Sequence, residues 1–376
     1  MNNKSLVLFS YDFPPSNGGI ARLCQEIAVG MKQYYECVTV LTRESEGPAD
    51  FYNCENIEVI RLPRKRISLE FSAYNYLIKL KNKKSVDVLC GVWHPEAAIC
   101  QLAGIKNIFI LGHGTEFLAG QSSFRKYFWL PFYSKWVLRK ARMVIANSSY
   151  TKRIVSEIDQ CIAVSALPLA VNESFFRPLF NNKDNSILQL CSLSRILKFK
   201  GYDFIARSIA ELPSIYKERV RWNIGGTGPY LKELRGLVKE LGIEQNVTFL
   251  GFIKEENLPS FYNSNDVFVL CTREEKNSTS VEGFGLVFLE AQSCGIPAIG
   301  TRTGGIADAI EDENGGWLIE QDDEEALNSL FIHLIENRDQ LDSMALRARD
   351  RVVQKCTRDQ YCNNLYEIIS KDRDVR

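Results

Sequence analysis

The chain has 376 residues and 45% hydrophobic content, so two or three folded domains are expected and disorder is not. Its 46 Lys and Arg balance 46 Asp and Glu, which excludes a general bias towards nucleic acid. The balance is uneven: residues 1–172 carry 21 basic and 14 acidic side chains, the remainder 25 and 32, which either turns one half towards an anionic partner or reflects chance surface variation.

Eleven cysteines lie scattered, without a CxxC pair and mostly in apolar runs such as VDVLCGV and VFVLCT. Buried free thiols in a reducing cytoplasm are expected rather than disulfides. Three histidines make a zinc cluster a poor fit. MNNKSLVLFSY runs directly into a strand pattern without the form of a signal peptide, and no run of 18 apolar residues occurs, so a cytoplasmic chain without a membrane span is expected.

SLVLFSY (Ser5–Tyr11) reads as a first strand, followed by a glycine turn and a helix through NGGIARLCQEIAVGMK. CVTVLTR, IEVIRLP, VDVLCGV, NIFILGH and MVIANS continue the strand series, with helical stretches between. Short apolar strands alternating with helices indicate parallel sheets covered on both faces. LPLAVNESFFRPLFNNKDNS breaks this rhythm as a linker, and SILQLCSLS, VRWNIGG, VTFLGF, VFVLCT and PAIGT restart it. Two successive doubly wound domains follow, with ligands expected beyond the carboxyl ends of the strands.

Several post-strand segments could carry chemistry. The pair Glu282 and Glu290 in EGFGLVFLEA would stand roughly 12 Å apart on one helix, too far for a glycosidase pair. A turn through Gly283 and Gly285, with a helix from about Leu286, instead aims backbone amides at an anion, such as a diphosphate joining two sugars. An ordinary amphipathic helix with Glu290 solvated is the alternative. In SRILKFKGYD, Arg195 and Lys200 could converge on one phosphate, or be exposed loop charges. GGTGPY (Gly225–Tyr230), with Gly226 and Gly228, has the spacing of a phosphate loop, a weak signal by itself. PSNGGIAR, with Gly18 and Gly19, lacks the full GxGxxG, and no acid closes CVTVLTR, which counts against a dinucleotide oxidoreductase.

His113 ends NIFILGH between two glycines, placed to donate to a sugar hydroxyl or to serve a turn. His94 reads as structural and His333 as incidental. FRKYFWLPFYSKWVLRKARM (Phe124–Met143) holds six Lys/Arg and no acid among its aromatics. That suits the interface of an anionic membrane, or a helix with a buried aromatic face interrupted at Pro131.

In order along the chain, the GG turn, His113, Arg195 with Lys200, GGTGPY, and Glu282-x7-Glu290 resemble the retaining glycosyltransferases of family 4. LAVNESFFRP, TRTGGIADAI and GGWLI extend the likeness over essentially the whole chain. It departs at Ser194, where the family usually has Gly, and at Ala307-Asp308, where it usually has Pro-Glu. The resemblance implies the α/β GT-B fold, with two Rossmann-like domains facing a cleft. Residues 1–171 would bind acceptor and 172–354 the nucleotide-sugar, with a helix in 355–376 crossing back. It implies that Arg195 and Lys200 stabilise the leaving diphosphate, that the amides of Phe284, Gly285, Leu286 and Val287 hold sugar and phosphate, and that Glu282 meets the donor sugar and Glu290 the ribose. Gly18, Gly19, Gly226 and Gly228 would approach the donor, His113 would touch its sugar, and the base would lie near Phe252 and Ile253. No metal or other cofactor is implied. The partners implied are a UDP- or GDP-sugar and a lipid-linked or glycan acceptor at the inner membrane surface, in bacterial surface-polysaccharide assembly such as O-antigen or capsule. A sugar-nucleotide epimerase or hydrolase on a similar fold, and a silent binding subunit, are the competing classes.

Overall fold

A computed structural model describes residues 4–16, 18–45, 56–81, 83–179, 186–275 and 278–374, so part of the linker sequence lies outside the described residues. The chain divides into two compact units, 1–168 with 358–376, and 169–357.

The first unit holds a seven-stranded parallel sheet. Its strands are β1 (Ser5–Phe9), β2 (Cys37–Arg43), β3 (Ile57–Leu62), β4 (Val86–Cys90), β5 (Ile108–Gly112), β6 (Met143–Ala146) and β7 (Val164–Ala166), in the order β3-β2-β1-β4-β5-β6-β7. The central strands β4 and β5 are buried at every residue, as strands sandwiched between helices must be. The helix Ser149–Ile158 begins with its Ser148 hydroxyl accepting from the Thr151 amide at 3.1 Å, which satisfies one orphan donor of the first turn.

The helix Arg358–Asp374 belongs to this first unit and packs on the helix Gly19–Met31. A methyl group at Gly30 would sit 2.3 Å from Cys362 Sγ, so glycine permits the close crossing. Tyr34 stacks on Tyr366 with centroids 4.5 Å apart, and Arg358 reaches Glu26 at 3.4 Å.

The second unit holds a six-stranded parallel sheet: β8 (Leu188–Leu193), β9 (Val220–Gly225), β10 (Val247–Gly251), β11 (Val267–Leu270), β12 (Ala298–Thr301) and β13 (Gly316–Ile319), in the order β10-β9-β8-β11-β12-β13. Trp222 is fully buried in its core, and its indole N–H donates to Ser192 Oγ at 2.8 Å, which avoids the cost of an unsatisfied buried donor. Both units are thus α/β and Rossmann-like. The cysteines of the described residues are free, and all but Cys37 and Cys161 are buried. Among the described residues, no helix is long and apolar enough to cross a membrane.

Candidate active site

In the second unit, β8 gives way to a loop carrying Ser194 and Arg195, then to a tight turn over Lys198–Lys200. The turn ends at Gly201 with φ 75°, and a Cβ there would lie 1.8 Å from the Cys271 carbonyl oxygen. Only glycine lets this turn close on the segment after β11. Arg273, which sequence reasoning did not single out, ties the same two segments: its amide donates to the Phe199 carbonyl at 2.6 Å, and its guanidinium reaches Asp203 at 2.7 Å and Asp322 at 2.6 Å. Lys200 Nζ then pairs directly with Glu282, both side chains being largely buried. The fold therefore brings together two candidates separated by 82 positions. Arg195 is exposed, and among the described residues its guanidinium has no ion-pair partner.

Glu282 is itself propped from behind. Its carbonyl accepts from the Gly305 amide at 2.8 Å, and Gly304, at φ 53°, passes too close to that oxygen to carry a side chain. The glycine turn closes at Gly285 (φ 90°) and the helix runs Leu286–Ser293, where the spacing puts it. Amides in its first turn have no intrahelical acceptors, so those of Leu286 and Val287 can meet an anion. Phe284 is buried and offers only its main chain. Glu290 is 3% exposed and accepts from the Tyr262 hydroxyl at 2.7 Å, so the solvated alternative does not hold. Burial and the Glu290 charge push the Tyr262 hydroxyl well up, which keeps it a donor.

GGTGPY is held against its neighbouring loops through its main chain. The Gly226 amide is spent on the Gly251 carbonyl at 2.6 Å. A Cβ at Gly226 would lie 2.0 Å from the Ser194 oxygen, and one at Gly228 2.2 Å from the Ile196 oxygen. These glycines let the loop lie against the Arg195 segment, which Ile196 secures by donating to Thr227 at 2.9 Å. Phe252 is 75% exposed, whereas Ile253 packs on Gly225.

In the first unit, Gly18 (φ 143°) precedes the helix Gly19–Met31, and neither Gly18 nor Gly19 has protein atoms where a side chain would start. His113 follows β5. Its amide donates to Glu116 at 2.6 Å, and its Nε2 lies 2.8 Å from the Gly91 carbonyl. A carbonyl can only accept, so Nε2 carries a proton and the neutral ring presents Nδ1 as an acceptor. A neutral His113 would take a hydrogen bond from a sugar hydroxyl; donating one from Nδ1 requires the imidazolium.

Glu96 was not legible as special in GVWHPE. It is fully buried, accepting from the Tyr11 amide at 2.8 Å and the Val92 amide at 2.7 Å, and so clamps the segments after β1 and β4. Burial pushes its carboxyl up to about 8, against the opposing pull of these amides. His94 bonds Tyr133 through Nδ1 at 2.9 Å, and its ring stands edge-on to Trp129. His333 lies on the helix Glu324–Glu336 and reaches Gln340 at 2.7 Å.

Pro131 does not interrupt its segment. Wide helical turns run through Arg125–Ser134 with Pro131 inside, and an α-helix continues over Lys135–Lys140. The Ser134 hydroxyl donates to the Leu130 carbonyl at 2.6 Å beside the proline, and wide turns suit a residue without an N–H. Among the described residues, no group of three or more His, Cys, Asp or Glu side chains is placed to hold a metal ion.

Residues 171–351 match the family described as Glycosyl transferases group 1, and residues 17–175 that described as Glycosyltransferase Family 4. The GDP-mannose-dependent alpha-(1-6)-phosphatidylinositol monomannoside mannosyltransferase of Mycolicibacterium smegmatis is 26% identical over 99% of this chain and 100% of its own length. The N-acetyl-alpha-D-glucosaminyl L-malate synthase of Bacillus anthracis is 30% identical over 49% of this chain and 47% of its own. Anabaena HepE, solved with UDP and glucose, superposes with a TM-score of 0.77 at 17% identity, over 97% of this chain and 99% of that one, a likeness of fold.

Proposed function

This chain belongs to glycosyltransferase family 4 and is a nucleotide-sugar-dependent glycosyltransferase, and from that premise we propose that it moves a sugar from a UDP- or GDP-sugar to a lipid-linked or glycan acceptor, with retention of configuration and without a metal ion. The observation that carries the reading is the Lys200–Glu282 pair, a cation and a carboxylate from separate motifs set side by side just before the helix Leu286–Ser293.

The donor's bond from anomeric carbon to phosphate oxygen breaks, and the electron pair stays on the diphosphate. Lys200, Arg195 and the amides of Leu286 and Val287 take up that charge as it develops. The acceptor hydroxyl forms the new bond from the same face, and its proton passes to the departing phosphate oxygen. Glu282 meets the donor sugar, Glu290 the ribose, and His113 accepts a sugar hydroxyl.

The acceptor is proposed to lie at an anionic membrane, in glycolipid or surface-polysaccharide assembly. Two observations support this: the substrate in the mycobacterial relative's name is a phosphatidylinositol mannoside, and Phe124, Tyr127, Phe128 and Phe132 are each more than half exposed among basic residues. Such a surface suits a headgroup layer. A panel of UDP- and GDP-sugars tests the proposal. One donor should raise the melting temperature, since a ligand of the native state stabilises it, and be consumed faster with acceptor than without. Donor turnover indifferent to any acceptor would instead mark a hydrolase or epimerase.

A further inference from the structure

Ser194 is one of the chain's departures from the family pattern, and its hydroxyl has a partner that a glycine could not have. Ser194 follows β8, and Tyr202 opens the helix Tyr202–Glu211. Their side-chain oxygens lie 2.8 Å apart. The bond joins the two ends of the loop that carries Arg195 and Lys200. A hydroxyl has one proton, and Ser194 gives its own to the Arg195 carbonyl at 3.0 Å, so Tyr202 is the donor to Ser194. Burial pushes the Tyr202 hydroxyl up, so it keeps its proton through the neutral range. The phenol ring is fully buried and stacks on Trp222 with centroids 6.0 Å apart, and the Trp222 indole is itself held by Ser192. A chain of donations thus runs from the core, through Tyr202 and Ser194, to the peptide carbonyl of Arg195.

The rest of the loop is held through its main chain. The Ile196 amide donates to the Thr227 carbonyl, the Lys200 amide to the Leu197 carbonyl at 3.1 Å, and the Arg273 amide to the Phe199 carbonyl. The Lys200 side chain is fixed by Glu282. The Arg195 guanidinium is exposed and has no ion-pair partner among the described residues, so its aim depends on the peptide from which it springs. A cation stabilises a leaving group only as far as it is preorganised, and a misplacement of about 1 Å can cost on the order of a hundredfold in rate.

We propose that Ser194 and Tyr202 are positioning residues for the transfer: the hydrogen bond between them fixes the Arg195 peptide so that its guanidinium meets the leaving diphosphate. The inference rests on the transferase reading, and asks neither hydroxyl to touch the donor.

Steady-state kinetics of the full chain test this, with the panel of UDP- and GDP-sugars as donors. The readout is release of the nucleoside diphosphate, which reports cleavage of the donor bond whether a glycan, a glycolipid or water takes the sugar. Tyr202→Phe removes one oxygen from a ring that otherwise stays packed. It should lower kcat about ten- to a hundredfold while the donor KM changes by less than about threefold, because Glu290 and the amides of Leu286 and Val287 still bind the donor. S194A should do the same, and S194T, which keeps the hydroxyl, should retain most of the rate. S194A/Y202F removes both partners and leaves no buried donor unsatisfied, so its melting temperature should stay near that of the wild type while release remains slow. A loss that came only from weakened folding would not show that split. In R195Q, adding Y202F should slow release no further, since the group being aimed is gone. Wild-type rates in Y202F and S194A, a rate regained in S194A/Y202F, or the full Tyr202→Phe loss repeated in R195Q overturns the inference. If the wild type consumes a donor while these results fail, only this inference falls; if it consumes none of the panel, the transferase reading falls with it.

Discussion

Replacing Lys200 with methionine separates what the Lys200–Glu282 pair does for stability from what the cation does for transfer. Methionine keeps the unbranched stem and removes the charge. Glu282 is then left as a carboxylate 16% exposed with its cation gone. Breaking a fully buried pair from one side costs about 3–5 kcal/mol, and the exposure remaining here discounts that to roughly 2–3 kcal/mol. Removing a preorganised donor from the leaving group adds about 2.7–4 kcal/mol to the barrier, on the order of a hundred- to a thousandfold in rate. Urea midpoints and initial rates at saturating donor measure the two losses. Adding Glu282→Gln should recover most of the stability, because no uncompensated charge remains, while transfer stays slow. A K200M enzyme that transfers at the wild-type rate would refute the assignment. So would a double variant that regains the rate, since Lys200 would then act only by neutralising Glu282.

Gly201→Ala should lower the apparent melting temperature markedly: a left-handed alanine costs about 1 kcal/mol, and its contact with the Cys271 carbonyl adds roughly 1–3 kcal/mol of overpacking. An unchanged melting curve would contradict the closure of the Lys200 turn. Glu96 is raised to about 8 in the native state, above its unfolded value, so the native chain holds an extra proton in the interval between. That contribution is full below the unfolded value and is lost as pH rises through about 8, at up to about 1.4 kcal/mol per pH unit. Wild-type melting temperatures should therefore fall more steeply than those of Glu96→Gln between pH 5 and 8, and parallel profiles would count against the burial argument. Phe128→Ser with Phe132→Ser changes two exposed rings, so melting should be unaffected while sedimentation with anionic vesicles drops severalfold. Undiminished sedimentation would remove the aromatic face from the membrane proposal.

Most strands were legible because their runs are short and largely apolar, as in VDVLC and IFILG, both buried at every residue. The edge strands β7 and β13 were not: Val164–Ala166 has three residues, none fully buried, and GWLI opens with a glycine. The helix start near Leu286 was legible because glycine spacing is local. The close packing of Gly226 and Gly228 was not, because the backbone they make room for lies some thirty residues earlier. Arg273 and Glu96 were hidden for the same reason. Glu96 accepts from an amide 85 positions away, and nothing in WHPEA marks that carboxylate as buried. Local pattern reports which face of an element is apolar. It does not report which distant main-chain groups a side chain will find.

The helix Arg358–Asp374 bears on how the molecule comes into being. The second unit is one continuous stretch, 169–357, and can assemble as soon as it leaves the ribosome. The first unit is written on both sides of that stretch: Gly30 of its early helix waits for Cys362, and Tyr34 for Tyr366, until the whole second unit has been translated. The first unit is thus completed only after the second, and a nascent chain halted before residue 358 would carry a complete second unit and a first one with that helix face uncovered.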